Sequence, residues 1–401
     1  MNNNRHHTTT GALEGVRVLE LGQLIAGPFC GQLLADLGAE VIKIELPGRG
    51  DPMREWGKGE PVWWPVIARN KKCITLDVRK EQGKAVISEL VGKADIVLEN
   101  FRPGTMEKWG LGYADLAALN KGIIMVRVSG YGQYGPYSER AGYGGIGEAM
   151  GGLRYIVGDP STPPSRVGIS IGDSLAAMFA TIGALSALQS RNRTGAGQVV
   201  DSAIFEAVLG VMESTVSEYD QLGAIRERTG AILEKIAPSN VYPTADGDMI
   251  IMGANQDTVF ARLCNAMQQP EMATDERFSG HVARGENQAE LDGIISTWTR
   301  QLGAGELLAL LEQHAVPAGR IYRAPEMLAD EHFIARETIV DVEHPEYDNL
   351  KMQNVFPRLS ATPGRIKWTG PGLGQHNKDI YQGLLGYDAA DLERLEQDGI
   401  I

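Results

Sequence analysis

Val16-Arg-Val-Leu-Glu-Leu-Gly-Gln-Leu-Ile-Ala-Gly-Pro-Phe-Cys-Gly-Gln-Leu-Leu-Ala-Asp-Leu-Gly-Ala-Glu-Val-Ile-Lys-Ile-Glu45 sets two short β-branched runs on either side of one helical pattern. Residues 16–21 and 40–45 read as strands, residues 30–37 as a helix, and Gly38 closes that helix. A strand, a crossover helix and a second strand form a βαβ unit, which makes the two strands parallel.

The alternation continues outward. Residues 73–78, 95–99 and 123–128 read as further strands, with helices over 83–93 and near 113–119. The expected fold class is therefore α/β, with a large Rossmann-like parallel-sheet domain. Between the second and third strands lies the stretch 51–72, with Trp56, Trp63, Trp64 and three prolines. A loop of that length is usually functional or an interface, and docking of its tryptophans on the domain surface is the alternative.

Beyond a long apolar helix and the turn 191–198, residues 199–209 read as a strand running into a helix. Residues 213–235 are polar and mixed in charge and read as a helical linker. A smaller α/β unit follows, with a strand at 248–253, helices at 258–267, 288–302 and 305–314, and late strands at 339–344 and 350–356. Helices at 378–385 and 389–396 end the chain. The expected division is a large domain at 1–212, a linker at 213–239, a small domain at 240–350 and a final segment at 351–401.

At 401 residues the chain exceeds what one core usually holds. A formal net charge of −13 argues against nucleic-acid and anionic-membrane partners, since both need a basic face. Cys30, Cys73 and Cys264 are widely spaced, which suggests buried thiols rather than disulfides or a metal site. Residues 1–10 lack an apolar core and no run approaches about 18 apolar residues, so neither a signal peptide nor a membrane span is expected, and the expected location is cytoplasmic.

Val167-Gly-Ile-Ser-Ile-Gly-Asp-Ser-Leu-Ala-Ala-Met-Phe-Ala-Thr-Ile-Gly183 places Asp173 directly before the long apolar helix. The unpaired N–H groups of a helix start favour an ionised carboxylate, and an ionised carboxylate can attack a thioester. Asp is also a favoured N-cap, and the local residues leave both readings open. Gly142-Tyr-Gly-Gly-Ile-Gly147 matches G-x-G-x-x-G, but no strand precedes it, so a dinucleotide site is not expected. Its glycines fit close approach of the backbone to an acyl group or to another subunit.

Nine segments in order resemble family III CoA-transferases of the CaiB/BaiF type, a group that includes formyl-CoA:oxalate and succinyl-CoA:dicarboxylate CoA-transferases. They are Leu13-Glu-Gly-Val-Arg-Val-Leu-Glu-Leu, Ala26-Gly-Pro-Phe, Leu37-Gly-Ala-Glu-Val-Ile-Lys-Ile-Glu45, Gly50-Asp-Pro-Met-Arg54, Asn70-Lys-Lys, Glu99-Asn-Phe-Arg-Pro-Gly104, Ser129-Gly-Tyr-Gly-Gln-Tyr-Gly-Pro136, the Asp173 segment and Arg193-Thr-Gly-Ala-Gly-Gln198. The resemblance implies that Asp173 becomes acylated and that coenzyme A, as a substrate moiety rather than a resident cofactor, meets Ile25, Ala26, Arg79, Asn100, Phe101, Arg102, Lys108 and Tyr143. It implies no metal. It also implies an interlocked homodimer and a C-terminal segment that returns to the large domain, with an acyl-CoA and a small dicarboxylate as substrates.

The chain departs from the family pattern at three places. Leu46 stands where many relatives carry a basic residue, and Arg49 is the nearest substitute. Lys108 replaces an arginine of the oxalate enzyme, which keeps the charge and loses the bidentate fork. Gly144 stands where relatives place an acid. Oxyanion donors are expected at the start of the Asp173 helix or in Gly253-Ala-Asn-Gln256. The related α-methylacyl-CoA racemases need a histidine in the segment that here reads Gly142-Tyr-Gly-Gly145, and no histidine occurs between His7 and His281. A non-catalytic acyl-CoA-binding homologue is the remaining alternative.

Overall fold

The computed structural model describes residues 11–401. In chain order the first elements are β1 (Arg17–Glu20), α1 (Ala26–Asp36), β2 (Glu40–Glu45), α2 (Trp63–Ile67), β3 (Lys71–Thr75), α3 (Glu81–Val91), β4 (Ile96–Glu99), α4 (Thr105–Lys108), α5 (Tyr113–Leu119) and β5 (Ile124–Ser129). Then come α6 (Gly144–Met150), α7 (Leu153–Ile156), α8 (Ile171–Thr194), β6 (Val199–Ala203), α9 (Ile204–Leu209) and α10 (Thr215–Leu222). The remainder comprises β7 (Ser239–Pro243), β8 (Met249–Gly253), α11 (Asp257–Ala266), α12 (His281–Glu286), α13 (Gln288–Thr299), α14 (Ala304–Gln313), β9 (Ala318–Arg320), α15 (Ala324–Ala329), α16 (Glu331–Ala335), β10 (Ile339–His344), β11 (Asp348–Gln353) and α17 (Ala389–Gln397).

The chain forms two compact units. The first takes the residues up to Leu153, Val167–Ser214 and Ala335–Ile401; the second takes Arg154–Arg166 and Thr215–Ile334. This division differs from the one expected from the sequence. Residues 154–166 join the second unit because Gly230 N donates to Gly158 O at 3.1 Å and Tyr155 Oη to Glu227 Oε1 at 2.7 Å. The β10–β11 hairpin belongs to the first unit, where Arg69 Nη1 donates to Gln353 O at 2.5 Å. Of the expected helical linker only α10 is helical, since Gly223 and Gly230 take φ of +66° and +69° and residues 224–229 have no regular structure.

The first unit is built on an all-parallel sheet in the order β3-β2-β1-β4-β5-β6. Val18 of β1 faces Val41 of β2 on one side and Ile96 of β4 on the other, so the strand order reverses between β1 and β4. Side chains alternate across such a sheet, and both faces are covered. Leu19, Ile42, Ile74, Val97 and Met125 pack under α3 and α5, joined by Tyr381, Leu395 and Ile400 from the end of the chain. Val18, Val41, Ile96, Leu98 and Val126 pack under α1, α8 and α9, where the alanines 176, 177, 180, 184 and 187 let α8 lie close.

The same face also buries charge. Lys71 Nζ lies 2.9 Å from Glu20 Oε1 and 2.7 Å from the Pro28 carbonyl, and Lys43 Nζ lies 2.7 Å from Asp51 Oδ2. Burial acts to lower the Lys43 pKa, and Asp51, Glu20 and Glu45 outweigh it, holding the ammonium above its ordinary value. For Lys71 burial prevails, and its pKa falls below the usual lysine range.

One helix is long and apolar enough to cross a membrane, namely α8, contrary to the expectation that no such stretch exists. Half of its apolar window is buried against α1, β5, β6 and α9.

The second unit carries a three-stranded antiparallel sheet in the order β7-β8-β9. Ile250 and Met252 of β8 point into a core with Phe260, Leu263, Leu291, Ile295, Leu307 and Leu311 from α11, α13 and α14. The segment after β8 leads into α11, and the buried Arg284 donates to the Asn255 carbonyl at 2.7 Å.

Candidate active site

The direction of α8 fixes where Asp173 lies. Arg191 Nη1 sits 2.8 Å from Asp95 Oδ1, immediately before β4, so the end of α8 meets the N-terminal edge of the sheet. Ser202 Oγ, near the end of β6, donates to Ala176 O at 2.9 Å. With a rise of about 1.5 Å per residue, Asp173 lies about 27 Å from Arg191 and a turn beyond Ala176, past the C-terminal edge of the strands. Ligands of open α/β sheets bind at that edge.

Ser170, not Asp173, is the N-cap of α8. Ile171 and Gly172 fill the first two helical positions and Asp173 the third, so the simple capping role open at the sequence level does not apply. At the third position a carboxylate still meets the positive end of the helix dipole. It is half-buried, with the start of α6 beside it: a Cβ built on Gly144 would lie 2.2 Å from Asp173 Oδ2 and 2.9 Å from its Cγ. Tyr143, the N-cap of α6, is 74% exposed directly before that contact.

Gly147 of the G-x-G-x-x-G segment, and Gly151 just after α6, serve packing within this unit. A Cβ on Gly147 would lie 2.4 Å from Ile204 Cγ2, and one on Gly151 would lie 2.6 Å from Val208 Cγ1. A Cβ on Gly142 would lie 3.1 Å from Gly130 Cα. Within this unit these glycines closely approach α9 and the exit of strand β5.

The loops after β1 and β4 flank the point where the strand order reverses. Asn100 ties them together, its Oδ1 accepting from Gln23 N at 2.7 Å and its Nδ2 donating to Gln23 O at 2.9 Å. Gly22 and Gly27 make room for that amide, since a Cβ on either would come within 3.2 Å of it. Ile25 and Ala26 begin α1 on this same loop. Phe101 packs edge-on against Trp109 with ring centres 5.1 Å apart, and its N–H donates to Glu99 Oε2 at 2.7 Å. Glu99 is held by Arg127 Nε at 2.7 Å, and Arg127 Nη1 holds Glu107 of α4 at 2.6 Å. Burial pushes the Glu99 carboxyl above its ordinary value against the pull of Arg127.

Three cations at this edge, Arg49 after β2 and Arg102 and Lys108 after β4, are exposed and make no ion pair among the described residues. They are free to meet phosphates. Arg79 is different: its fork holds Asp77 at 2.7 and 2.8 Å, which keeps the Asp77 carboxyl below its usual range. A phosphate reaching Arg79 must compete with that carboxylate. The structure thus collects Ile25, Ala26, Asn100, Phe101, Arg102 and Lys108 around the strand-order reversal and sets Tyr143 with Asp173. It turns Asn100 and Phe101 to bracing the loops.

Sequence reading missed Gln23, Glu99, Arg127 and Glu107. The signal for Glu99 and Arg127 was a charged residue inside an otherwise apolar buried strand. A cleft of about 930 Å³ lined by Arg54, Trp64, His344, Trp368 and His376 contains none of the expected site residues. Among the described residues no group of three or more His, Cys, Asp or Glu is arranged to hold a metal.

Residues 13–377 match the model of CoA-transferase family III. The chain is 61% identical over 97% of its length to the succinyl-CoA–D-citramalate CoA-transferase of Chloroflexus aurantiacus, covering 98% of that protein. It is 39% identical over 97% of its length to the alpha subunit of the succinyl-CoA–L-malate CoA-transferase of the same organism, covering 92% of it. The crystal structure of a CAIB/BAIF family protein from Brucella suis matches 94% of the chain and all of that protein, with a TM-score of 0.84 and 34% identity. A doubly covered parallel sheet with its strand reversal at the β1 and β4 loops, matched in sequence and structure almost end to end, makes this chain a member of CoA-transferase family III, an enzyme that transfers coenzyme A.

Proposed function

We propose that the enzyme moves CoA from succinyl-CoA to a hydroxylated dicarboxylate, of which citramalate is the first candidate, with Asp173 as the covalent carrier. The observation that carries this reading is the seat of Asp173 in the first turn of a 24-residue helix at the C-terminal edge of the sheet. The names of the relatives at 61% and 39% identity supply the donor and the acceptor class.

In this mechanism the Asp173 carboxylate attacks the donor thioester, giving an aspartyl–acyl anhydride and CoA thiolate. The thiolate attacks the aspartyl carbonyl, releasing the donor acid and leaving an aspartyl-CoA thioester. The acceptor carboxylate attacks that thioester, forming a new anhydride and freeing the thiolate again. The thiolate then attacks the acceptor's acyl carbonyl, which restores the Asp173 carboxylate. Arg49, Arg102 and Lys108 would hold the phosphates through both thiolate stages, so that CoA stays bound between transfers. Arg79 joins them if a phosphate displaces it from Asp77.

An interlocked homodimer belongs to the same reading. Met178, Phe179 and Ile182 of α8, with Leu209 of α9, are 41–58% exposed, an apolar group that a second copy would cover. A cytoplasmic site of action is supported by three cysteines that are all free and buried.

The test is Asp173→Asn. The variant should fold, bind CoA and lose essentially all transfer from succinyl-CoA to citramalate. Wild type treated with succinyl-CoA and hydroxylamine should carry a hydroxamate on the peptide holding Asp173. A folded Asp173→Asn enzyme with near-normal turnover would overturn the reading. The racemase alternative is not favoured, and incubation of a 2-methylacyl-CoA in deuterated water should give no enzyme-dependent α-deuterium.

A further inference from the structure

Gly144 opens α6 with an ordinary helical backbone, since its φ is not among the positive ones. Nothing in that backbone asks for glycine, and alanine is the better helix former. The reason for glycine is space. The three atoms nearest to a Cβ built there, at 2.2, 2.9 and 3.2 Å, are Oδ2, Cγ and Oδ1 of Asp173. All three belong to one carboxylate. Gly147 on the same helix and Gly151 at its C-cap are small for a different cause, because they meet α9.

We propose that Gly144 is a positioning residue for the nucleophile in this chain: where relatives carry an acid, Gly144 carries no side chain, the Asp173 carboxylate takes the space so freed against the start of α6, and an added Cβ displaces it from that seat. The proposal rests on Asp173 being the acyl carrier. A contact of 2.2 Å must open by more than 1 Å to become an ordinary one, so the carboxylate cannot keep its place beside an alanine. Displacement of a reacting group by about 1 Å costs about 100-fold in rate.

The experiment compares wild type, Gly144→Ala, Asp173→Asn, Asp173→Ala and the double variant Gly144→Ala/Asp173→Ala. With succinyl-CoA and citramalate, Gly144→Ala should lower kcat about 100-fold while the donor KM stays within about threefold. Hydroxylamine trapping at Asp173 should fall in parallel. In the Asp173→Ala background the clash is gone, so Gly144→Ala should raise Tm there and should not raise it in the wild-type background. A kcat for Gly144→Ala within about threefold of wild type, or the same Tm change in both backgrounds, overturns the proposal. Failure of the underlying reading appears separately, as turnover by Asp173→Asn.

Discussion

The Asn100 amide grips both the N–H and the carbonyl of Gln23, 77 residues away in sequence, and so joins the two loops at which the sheet reverses its strand order. One side chain thus sets the width of the crevice in which CoA is expected to lie. Asn100→Ala leaves a backbone donor and acceptor without partners and should cost about 1–3 kcal/mol, read by urea denaturation. The donor KM should rise about tenfold, because the loops expected to bind CoA lose their register. Asn100→Asp should fare no better, since it sets a carboxylate oxygen against the Gln23 carbonyl.

The buried Lys43–Asp51 pair predicts a pH dependence. Burial acts to raise the Asp51 pKa, and Lys43 with two backbone N–H groups outweighs it, leaving the carboxyl below its ordinary 3.8. In the acid range the unfolded chain therefore binds the Asp51 proton first, and stability rises with pH through that window. The contribution is full above the unfolded value and is lost as pH falls through the folded one. Asp51→Asn should be about 3 kcal/mol less stable at pH 7, because Lys43 loses a partner in the core. The difference from wild type should shrink as the pH drops below about 4, measured by denaturation at a series of pH values.

Burial pushes the Cys30 thiol up to about 12 and that of Cys264 up to about 11, and it raises Cys73 well above its usual value. The thiolate is the reactive form, so native protein at pH 7.5 should take up no iodoacetamide at these positions. Unfolding in urea should expose all three to labelling. Mass spectrometry of the intact chain reads both states.

Gly31 of α1 lies over the Glu20 carboxylate, and a Cβ there would come 1.7 Å from Oε2. On an exposed helix Gly→Ala stabilises by up to about 1 kcal/mol. Gly31→Ala should do the reverse and cost about 3 kcal/mol, because the displaced carboxylate loses its place beside Lys71. A Tm at or above that of wild type would contradict this packing.

The parallel sheet was legible because its β-branched runs recur between helical patterns, and β1 to β6 all lie within a few residues of the predicted strands. The charges Glu20, Lys43, Glu45 and Lys71 were not legible as core. In sequence they alternate with apolar residues, the pattern of a strand with one wet face, whereas here both faces are covered and the charges neutralise one another. Asp173 was found by pattern, but the start of its helix was misplaced by three residues, because Gly172 carries little helix signal. The roles of Asn100 and Gly144 depend on partners 77 and 29 residues away, which no local pattern announces.

The nesting of one unit inside the other also governs the order in which this protein can mature. The second unit is encoded between Arg154 and Ile334, interrupted only by a return to the first, while the first still waits for Tyr381, Leu395 and Ile400 to fill the face beneath α3. During synthesis the inner unit has all its residues while the outer sheet still has one face incompletely covered. Nascent chains paused before about residue 380 should therefore be the ones that chaperones hold, since Ile74, Leu76 and Val86 lack their final cover until the last stretch emerges.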